Sequence, residues 1–89
     1  MQLLLTARFQ RTYVALSLED QKQVQKALRR ISEDLRHPGL GVKRIRGTKG
    51  IWEARGARGA RALRITFETE GESIILRNVG RHDEALGSP

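Results

Sequence analysis

The sequence predicts an α+β domain, with an N-terminal strand and an antiparallel helical hairpin packed on one face of a mainly antiparallel, four- to five-stranded sheet. Three observations support this class. The chain has 89 residues, which suits a single domain over residues 1–89 and leaves little room for a second core. Hydrophobic residues recur at helical spacing before His37, and they alternate with polar residues after Gly41. Helices followed by consecutive strands are typical of α+β folds.

The first part of the chain predicts one strand and two helices. The strand is Gln2–Leu5, and the first helix runs from about Thr6 to Leu16. Ser17 is expected to begin the second helix, because its hydroxyl can accept a hydrogen bond from a free N–H group. The second helix is expected to end at His37-Pro38-Gly39, since proline cannot continue a helix. Its apolar stripe comprises Val24, Ala27, Leu28, Ile31 and Leu35.

The second part of the chain predicts four more strands. They are placed near Val42 to Arg46, Ile51 to Arg55, Arg61 to Thr69, and Ser73 to Val79. Residues 47–50 and 70–72 are glycine-containing turns, and residues 56–60 are a flexible basic connector. In the strand from Arg61, the alternation predicts that Leu63, Ile65 and Phe67 face the helices. The residues expected on the opposite face of the sheet are Ala62, Arg64, Thr66 and Glu68.

The positive charge favours a nucleic-acid partner. Lysine and arginine number 17 against 10 acidic residues, for a formal net charge of +7. Such a surface attracts phosphates, although it could also serve only for solubility. The charge is concentrated in one stretch around a lone acid, Glu53, and the basic residues there are Lys43, Arg44, Arg46, Lys49, Arg55, Arg58, Arg61 and Arg64.

Several classes of chemistry are not expected. The chain has no cysteine, and hence no disulfide, thiolate nucleophile or sulfur-ligated metal. No cluster has zinc-ligand spacing and no glycine-rich segment matches a nucleotide-binding loop, so we expect no cofactor. The apolar run Leu3–Leu5 is too short for a signal peptide or a membrane span, which predicts a cytoplasmic protein with no membrane partner.

A polar site is expected on the sheet face opposite the helices. Glu53 and Arg55 share a face, and Arg64 can lie opposite them on the paired strand. An arginine-lined face can hold a phosphodiester, although it could equally be a solvated surface. Of the two histidines, His37 is expected to cap a helix end. His82 is the better candidate for proton transfer, because histidine titrates near neutral pH.

The order of the short motifs resembles the RelE/ParE toxin superfamily over nearly the whole chain. RelE toxins are small ribonucleases that cut mRNA without metal, mostly in the ribosomal A site, and each is held inactive by an antitoxin. ParE toxins share the fold but poison DNA gyrase. The residues that carry the resemblance are His37-Pro38-Gly39, Val42 to Gly47, Ile51 to Arg55, Leu63 to Phe67, and Ile75 to Asp83.

The resemblance implies a catalytic set and a set of partners. Glu53 would be the base and His82 the acid, while Arg55 and Arg64 would stabilise charge on the phosphorane. The implied partners are mRNA, the ribosome and an acidic antitoxin encoded by the adjacent frame, in a toxin–antitoxin hetero-oligomer. The implied RNA-binding residues are Lys43, Arg44, Arg46, Lys49, Arg58, Arg61, Arg77 and Arg81.

Departures from the family pattern keep other functions open. Leu86 stands where many members have a base-stacking aromatic residue, and Leu63 stands where others have tyrosine. The single tyrosine, Tyr13, is expected to be a core residue of the first helix. The alternatives are a non-enzymatic, gyrase-binding toxin of the ParE type and an inactive RNA-binding module with a toxin fold.

Overall fold

The strands form one mixed five-stranded sheet, in agreement with the predicted α+β class. The computed structural model describes residues 1–57 and 62–89. The sheet order is β1-β5-β4-β3-β2, in which β1 is parallel to β5 and the other neighbours are antiparallel. The elements are β1 (Gln2–Leu5), α1 (Ala7–Val14), α2 (Leu18–Glu33), a 3-10 helix (Pro38–Leu40), β2 (Lys43–Arg44), β3 (Trp52–Arg55), β4 (Leu63–Glu70), β5 (Ser73–Arg81) and α3 (His82–Gly87).

Side-chain caps begin both long helices. The Ser17 hydroxyl accepts a hydrogen bond from the Asp20 amide at 3.1 Å, as predicted. Thr6 does the same for α1, so this residue is the cap and the helix begins at Ala7. A hydrogen bond connects the two helices of the hairpin, because the Gln25 Nε2 of α2 donates to the Tyr13 hydroxyl of α1 at 2.6 Å. His37 is also a cap, since its Nδ1 accepts from the Gly39 amide at 3.0 Å.

The core lies between the helices and one face of the sheet, here called the inner face. The predicted apolar stripe faces this core, although Leu28 and Leu35 are only partly buried against it. Leu35 lies beyond the end of α2, because Asp34 already has an extended backbone. The fully buried residues that the two helices and β4 contribute are Phe9, Val24, Ile31, Leu63, Ile65 and Phe67.

The predicted bounds of β2 and β5 differ most from those in the structure. The strand expected over Val42 to Arg46 pairs with β3 only at Lys43–Arg44. The chain then enters the hairpin turn, which the Ile45 amide closes by donating to the Ile51 carbonyl at 2.9 Å. Strand β5 extends past Val79 to Arg81, because β4 continues to pair with it. The connector residues 58–60 and the predicted β4 start at Arg61 lie outside the described residues.

Helix α3 was not predicted, and it covers part of the face opposite the helices, here called the outer face. Ala85 of α3 is fully buried on this face, where only a polar site was expected. The Asn78 side-chain amide donates to the Ser88 carbonyl at 3.1 Å, and the Thr66 hydroxyl donates to the Pro89 carbonyl at 3.1 Å. Arg8 also donates to the Ser88 carbonyl. Residues 82–89, here called the C-terminal segment, are thus hydrogen-bonded to the sheet.

None of the helices in the described ranges combines the length and the hydropathy that a membrane crossing requires.

Candidate active site

An acid and a guanidinium form an ion pair on the outer face. In the β3–β4 register, Glu53 lies opposite Thr66, and Arg55 lies opposite Arg64. Arg64 reaches diagonally to Glu53, with Nε 3.4 Å from Oε1. The Glu53 side chain is 6% exposed and that of Arg64 is 18% exposed. Burial of a carboxylate is tolerated where a cation compensates its charge, so the two side chains form one unit.

Buried polar residues surround this pair. Thr66 is 0% exposed and Asn78, its partner on β5, is 6% exposed. The Thr66 hydroxyl lies 3.4 Å from the Asn78 carbonyl, and the Asn78 Oδ1 accepts from the Val79 amide at 2.9 Å. The sequence analysis did not single out either residue. The available signal was a lone asparagine within the otherwise largely apolar run of β5.

Arg55 faces Arg64 in the register, but its guanidinium lies elsewhere. A Cβ atom added to Gly41 would be 2.9 Å from the Arg55 Cζ. Gly41 follows the 3-10 helix with a φ of +54°, a conformation that also favours glycine. The Arg55 guanidinium therefore lies against the end of the 3-10 helix, at the margin of the Glu53–Arg64 pair.

His82 lies at the end of the sheet where β4 begins. Its amide donates to the Ala62 carbonyl at 3.0 Å, and its Nδ1 is 3.3 Å from the Asp83 Oδ1. The His82 side chain is 48% exposed. Arg64 pairs with Gly80, so its backbone lies near the same end of β5 as His82. The fold joins Glu53 and Arg64 on the outer face, places the His82 backbone beside the start of β4, and leaves the Arg55 guanidinium against Gly41.

Glu84 is an additional acid in this region. Its Oε2 lies 3.5 Å from the position that a Cβ atom of Gly80 would occupy. Because Gly80 is the strand partner of Arg64, α3 brings this carboxylate over the same part of the sheet. The sequence analysis missed Glu84 because α3 itself was not predicted.

The predicted RNA-binding residues occupy different surroundings. Arg77 is partly buried, with its Nη1 3.0 Å from Glu68 Oε2 and its Nε donating to the Pro89 carbonyl. Arg81 is exposed at the start of α3. Arg58 and Arg61 lie outside the described residues. Those that lie exposed on β2 or in the β2–β3 connection are Lys43, Arg44, Arg46 and Lys49.

Within residues 1–57 and 62–89, no three histidine, cysteine, aspartate or glutamate side chains are grouped so that they could hold a metal ion.

Solved toxin structures share this fold. A copper-bound mutant toxin from Helicobacter pylori superposes with a TM-score of 0.75 at 18% identity, covering 94% of this chain and 97% of its own. The RelBE toxin–antitoxin complex of Escherichia coli gives a TM-score of 0.71 at 17% identity, with 90% of this chain and 94% of the other covered. The RelB–RelE complex of Methanococcus jannaschii gives 0.70 at 20% identity, covering 91% and 92%.

Comparison of whole sequences finds no relative. No model of a known protein family matches the chain, and no curated protein sequence matches it. The likeness to RelE toxins is therefore a likeness of fold, and it confirms the RelE/ParE-like architecture expected from the sequence.

Proposed function

We propose that this chain is the toxin of a toxin–antitoxin pair and that it cleaves mRNA on the ribosome without a metal ion. The observation that carries the proposal is the ion pair on the outer face, in which the Arg64 Nε lies 3.4 Å from the Oε1 of the buried Glu53 carboxylate. His82 directly follows the last residue of β5. A base, an acid and a cation are the groups that phosphodiester transesterification requires. The RelE-like fold supports the same activity.

The proposed reaction is an internal attack on the RNA backbone. The ribose 2′-oxygen forms a bond to the adjacent phosphorus while Glu53 accepts the 2′-hydroxyl proton. The bond from phosphorus to the 5′-oxygen breaks, and protonated His82 donates a proton to that leaving oxygen. The products are a 2′,3′-cyclic phosphate and a free 5′-hydroxyl, so no water is consumed.

Arginines would supply the electrostatic part of the reaction. Charge accumulates on the non-bridging phosphate oxygens, and a guanidinium can donate two parallel hydrogen bonds to them. Arg64 forms an ion pair with Glu53, the proposed base, and would therefore lie beside the reacting phosphate. Arg55, whose guanidinium lies against Gly41, would add positive charge from a greater distance.

The exposed basic residues would hold the RNA on either side of the cut. Lys43 and Arg44 lie on the edge strand β2, next to Glu53 and Trp52 in the register. Arg46 and Lys49 continue this exposed basic surface in the connection to β3. Such contacts to phosphates add affinity without sequence preference. Arg77 and Arg81 would add further phosphate contacts from β5. Arg58 and Arg61, outside the described residues, stay predicted RNA-binding residues on their charge alone.

The proposed inhibitor is an acidic antitoxin. RelE toxins in the solved complexes are bound to RelB antitoxins. With a formal charge of +7, this chain would be complemented by an acidic partner that covers the outer face. Such a partner would also stabilise the toxin, since it would bind only the folded chain.

The test is to express the chain alone and together with the adjacent reading frame, with a tag on this chain only. We expect growth arrest in the first case, with incorporation of labelled methionine falling before that of labelled thymidine. In the second case, growth should recover and an acidic protein should co-purify. Thymidine incorporation that falls first would favour the gyrase-binding alternative. Unaffected growth on sole expression would contradict the toxin proposal.

A further inference from the structure

A second basic feature lies away from the Glu53–Arg64 pair, between α2 and the ends of the 3-10 helix and β3. It is a half-open cavity of about 240 Å³. Lys26 and Arg30 line it from α2, and Arg55 lines it from β3. Gly39 and Gly56 also line it, together with Gln23, Ala27 and Ala57. Among the described residues, no acidic side chain lines this cavity.

Within the part of the chain that the structure describes, the three cations of the cavity are unpaired. In the described ranges, neither a side-chain hydrogen bond nor an ion pair involves Lys26, Arg30 or Arg55. Arg30 is partly buried, and its Nη1 lies 3.5 Å from the position that a Cβ atom of Gly39 would occupy. Like charges that share a cavity repel each other, so the arrangement favours the entry of an anion.

The shape and charge of the cavity fit a phosphate group better than a carboxylate. A phosphate presents oxygens in three dimensions and can be approached by three cations at once, whereas a carboxylate is planar and has a single charge. Arginine and lysine are the usual ligands of phosphate in proteins. The cavity is open to solvent, so a phosphate group can enter it.

We propose that this cavity binds a backbone phosphate of single-stranded RNA next to the phosphate that is cleaved, an inference that rests on the proposed ribonuclease function. Arg55 links the two places, because it lines the cavity and also faces Arg64 across the β3–β4 pair. A phosphate held here would fix the position of the RNA strand relative to Glu53. The cavity would thus position the substrate, without taking part in proton transfer.

The test uses the full chain and a single-stranded oligonucleotide carrying 2′-O-methyl groups, which block the internal attack. The double variant Lys26→Gln/Arg30→Gln removes two charges from the cavity. The matched control, Lys22→Gln/Arg29→Gln, removes two charges from exposed positions of α2 that do not line the cavity. At equal salt, we expect the cavity variant to bind about tenfold more weakly than the control, the loss expected for a charge-assisted contact.

Amide NMR spectra of the unsubstituted chain give an independent reading. The oligonucleotide should shift the amides of Gly39 and Gly56, and this shift should be lost in the cavity variant. Equal affinities of the two double variants would overturn the inference. So would amide shifts caused by inorganic phosphate but not by the oligonucleotide, which would indicate a site for free anions. Shifts caused only by a glutamate-rich peptide would indicate protein docking and would overturn it as well.

The two proposals can fail separately. Equal affinities of the variants, with cleavage of unmodified mRNA intact, would contradict the cavity proposal alone. Weaker binding of the cavity variant, with no cleavage of mRNA by the unsubstituted chain, would contradict the ribonuclease proposal alone.

Discussion

At the scale of single residues, the sequence predicted which side chains share a face of the sheet but not which of them are in contact. Strand alternation correctly predicted that Glu53 and Arg64 share a face of the β3–β4 pair. The pattern did not indicate that Arg64 alone pairs with Glu53, or that the Arg55 guanidinium packs against Gly41. Side-chain conformation depends on neighbours that are distant in the sequence, and periodicity carries no information about them.

Replacement of His82 tests the proposed acid. His82→Gln keeps a polar side chain but removes the titrating group, so cleavage should slow by about 10²- to 10⁴-fold. Asp83→Asn is the control, because the Asp83 side chain is fully exposed and its 3.3 Å contact with His82 is weak. We expect a change of less than about twofold for this control, measured as single-turnover cleavage. Similar rates for His82→Gln and the parent chain would remove His82 from the mechanism.

At the scale of the elements, long periodic segments were predicted well and short ones were not. Helix α2 has 16 residues and a capping serine, so its pattern and its start were both visible. Helix α3 has only six residues, which is too few for a helical period to appear. It forms where Asp83 and Glu84 occupy the first turn, a favourable position for acidic residues, and where Ala85 can be buried against the sheet.

The packing of α2 predicts unequal costs of truncation. Ile31 is fully buried, so Ile31→Ala should lower the free energy of unfolding by about 2–5 kcal/mol. Leu28 is only partly buried at the core edge, and Leu28→Ala should cost about 1–2 kcal/mol. Urea denaturation of both variants measures the difference. A larger loss for Leu28→Ala than for Ile31→Ala would contradict the described orientation of α2.

A substitution that frees the C-terminal segment from the sheet should not unfold the rest of the domain. Ala85 is buried but lies outside the core cluster, so Ala85→Arg should free α3 from the sheet. Gly87→Arg adds the same charge at a position where a Cβ atom meets nothing within 4 Å, and it should have no such effect. Hydrogen exchange should accelerate at the α3 amides of Ala85→Arg while the β4 amides stay protected. Loss of protection in β4 as well would show that α3 is part of the core.

At the scale of the whole molecule, the sequence predicted the fold class better than it predicted which parts of the sheet are covered. The sequence predicted the α+β class and the helical hairpin, because those features repeat along the chain. It predicted an open basic face, whereas the C-terminal segment covers Thr66 and Asn78 on that face. Contacts between the end of the chain and the middle of a sheet have no local signature, so pattern analysis could not predict this cover.

The affinity for RNA should fall steeply with salt. Each phosphate contact with a single strand contributes a slope of about −0.7 to the dependence of log affinity on log salt concentration. Arg44→Glu, on the edge strand β2, should reduce the slope by about one contact. Arg11→Glu reverses an equally exposed charge on α1 and should change the slope less. Fluorescence anisotropy over a salt series measures both, and a flat dependence for the parent chain would contradict an electrostatic interface.

Cleavage of mRNA on translating ribosomes tests the central claim most directly. The parent chain should produce fragments with 2′,3′-cyclic phosphate and 5′-hydroxyl ends. Glu53→Gln, which keeps the shape but removes the base, should slow cleavage by about 10²-fold or more. The control is Glu68→Gln, which neutralises another outer-face carboxylate, itself 3.0 Å from Arg77, and should cleave like the parent. An intact mRNA with the parent chain, or undiminished cleavage by Glu53→Gln, would contradict the proposed mechanism.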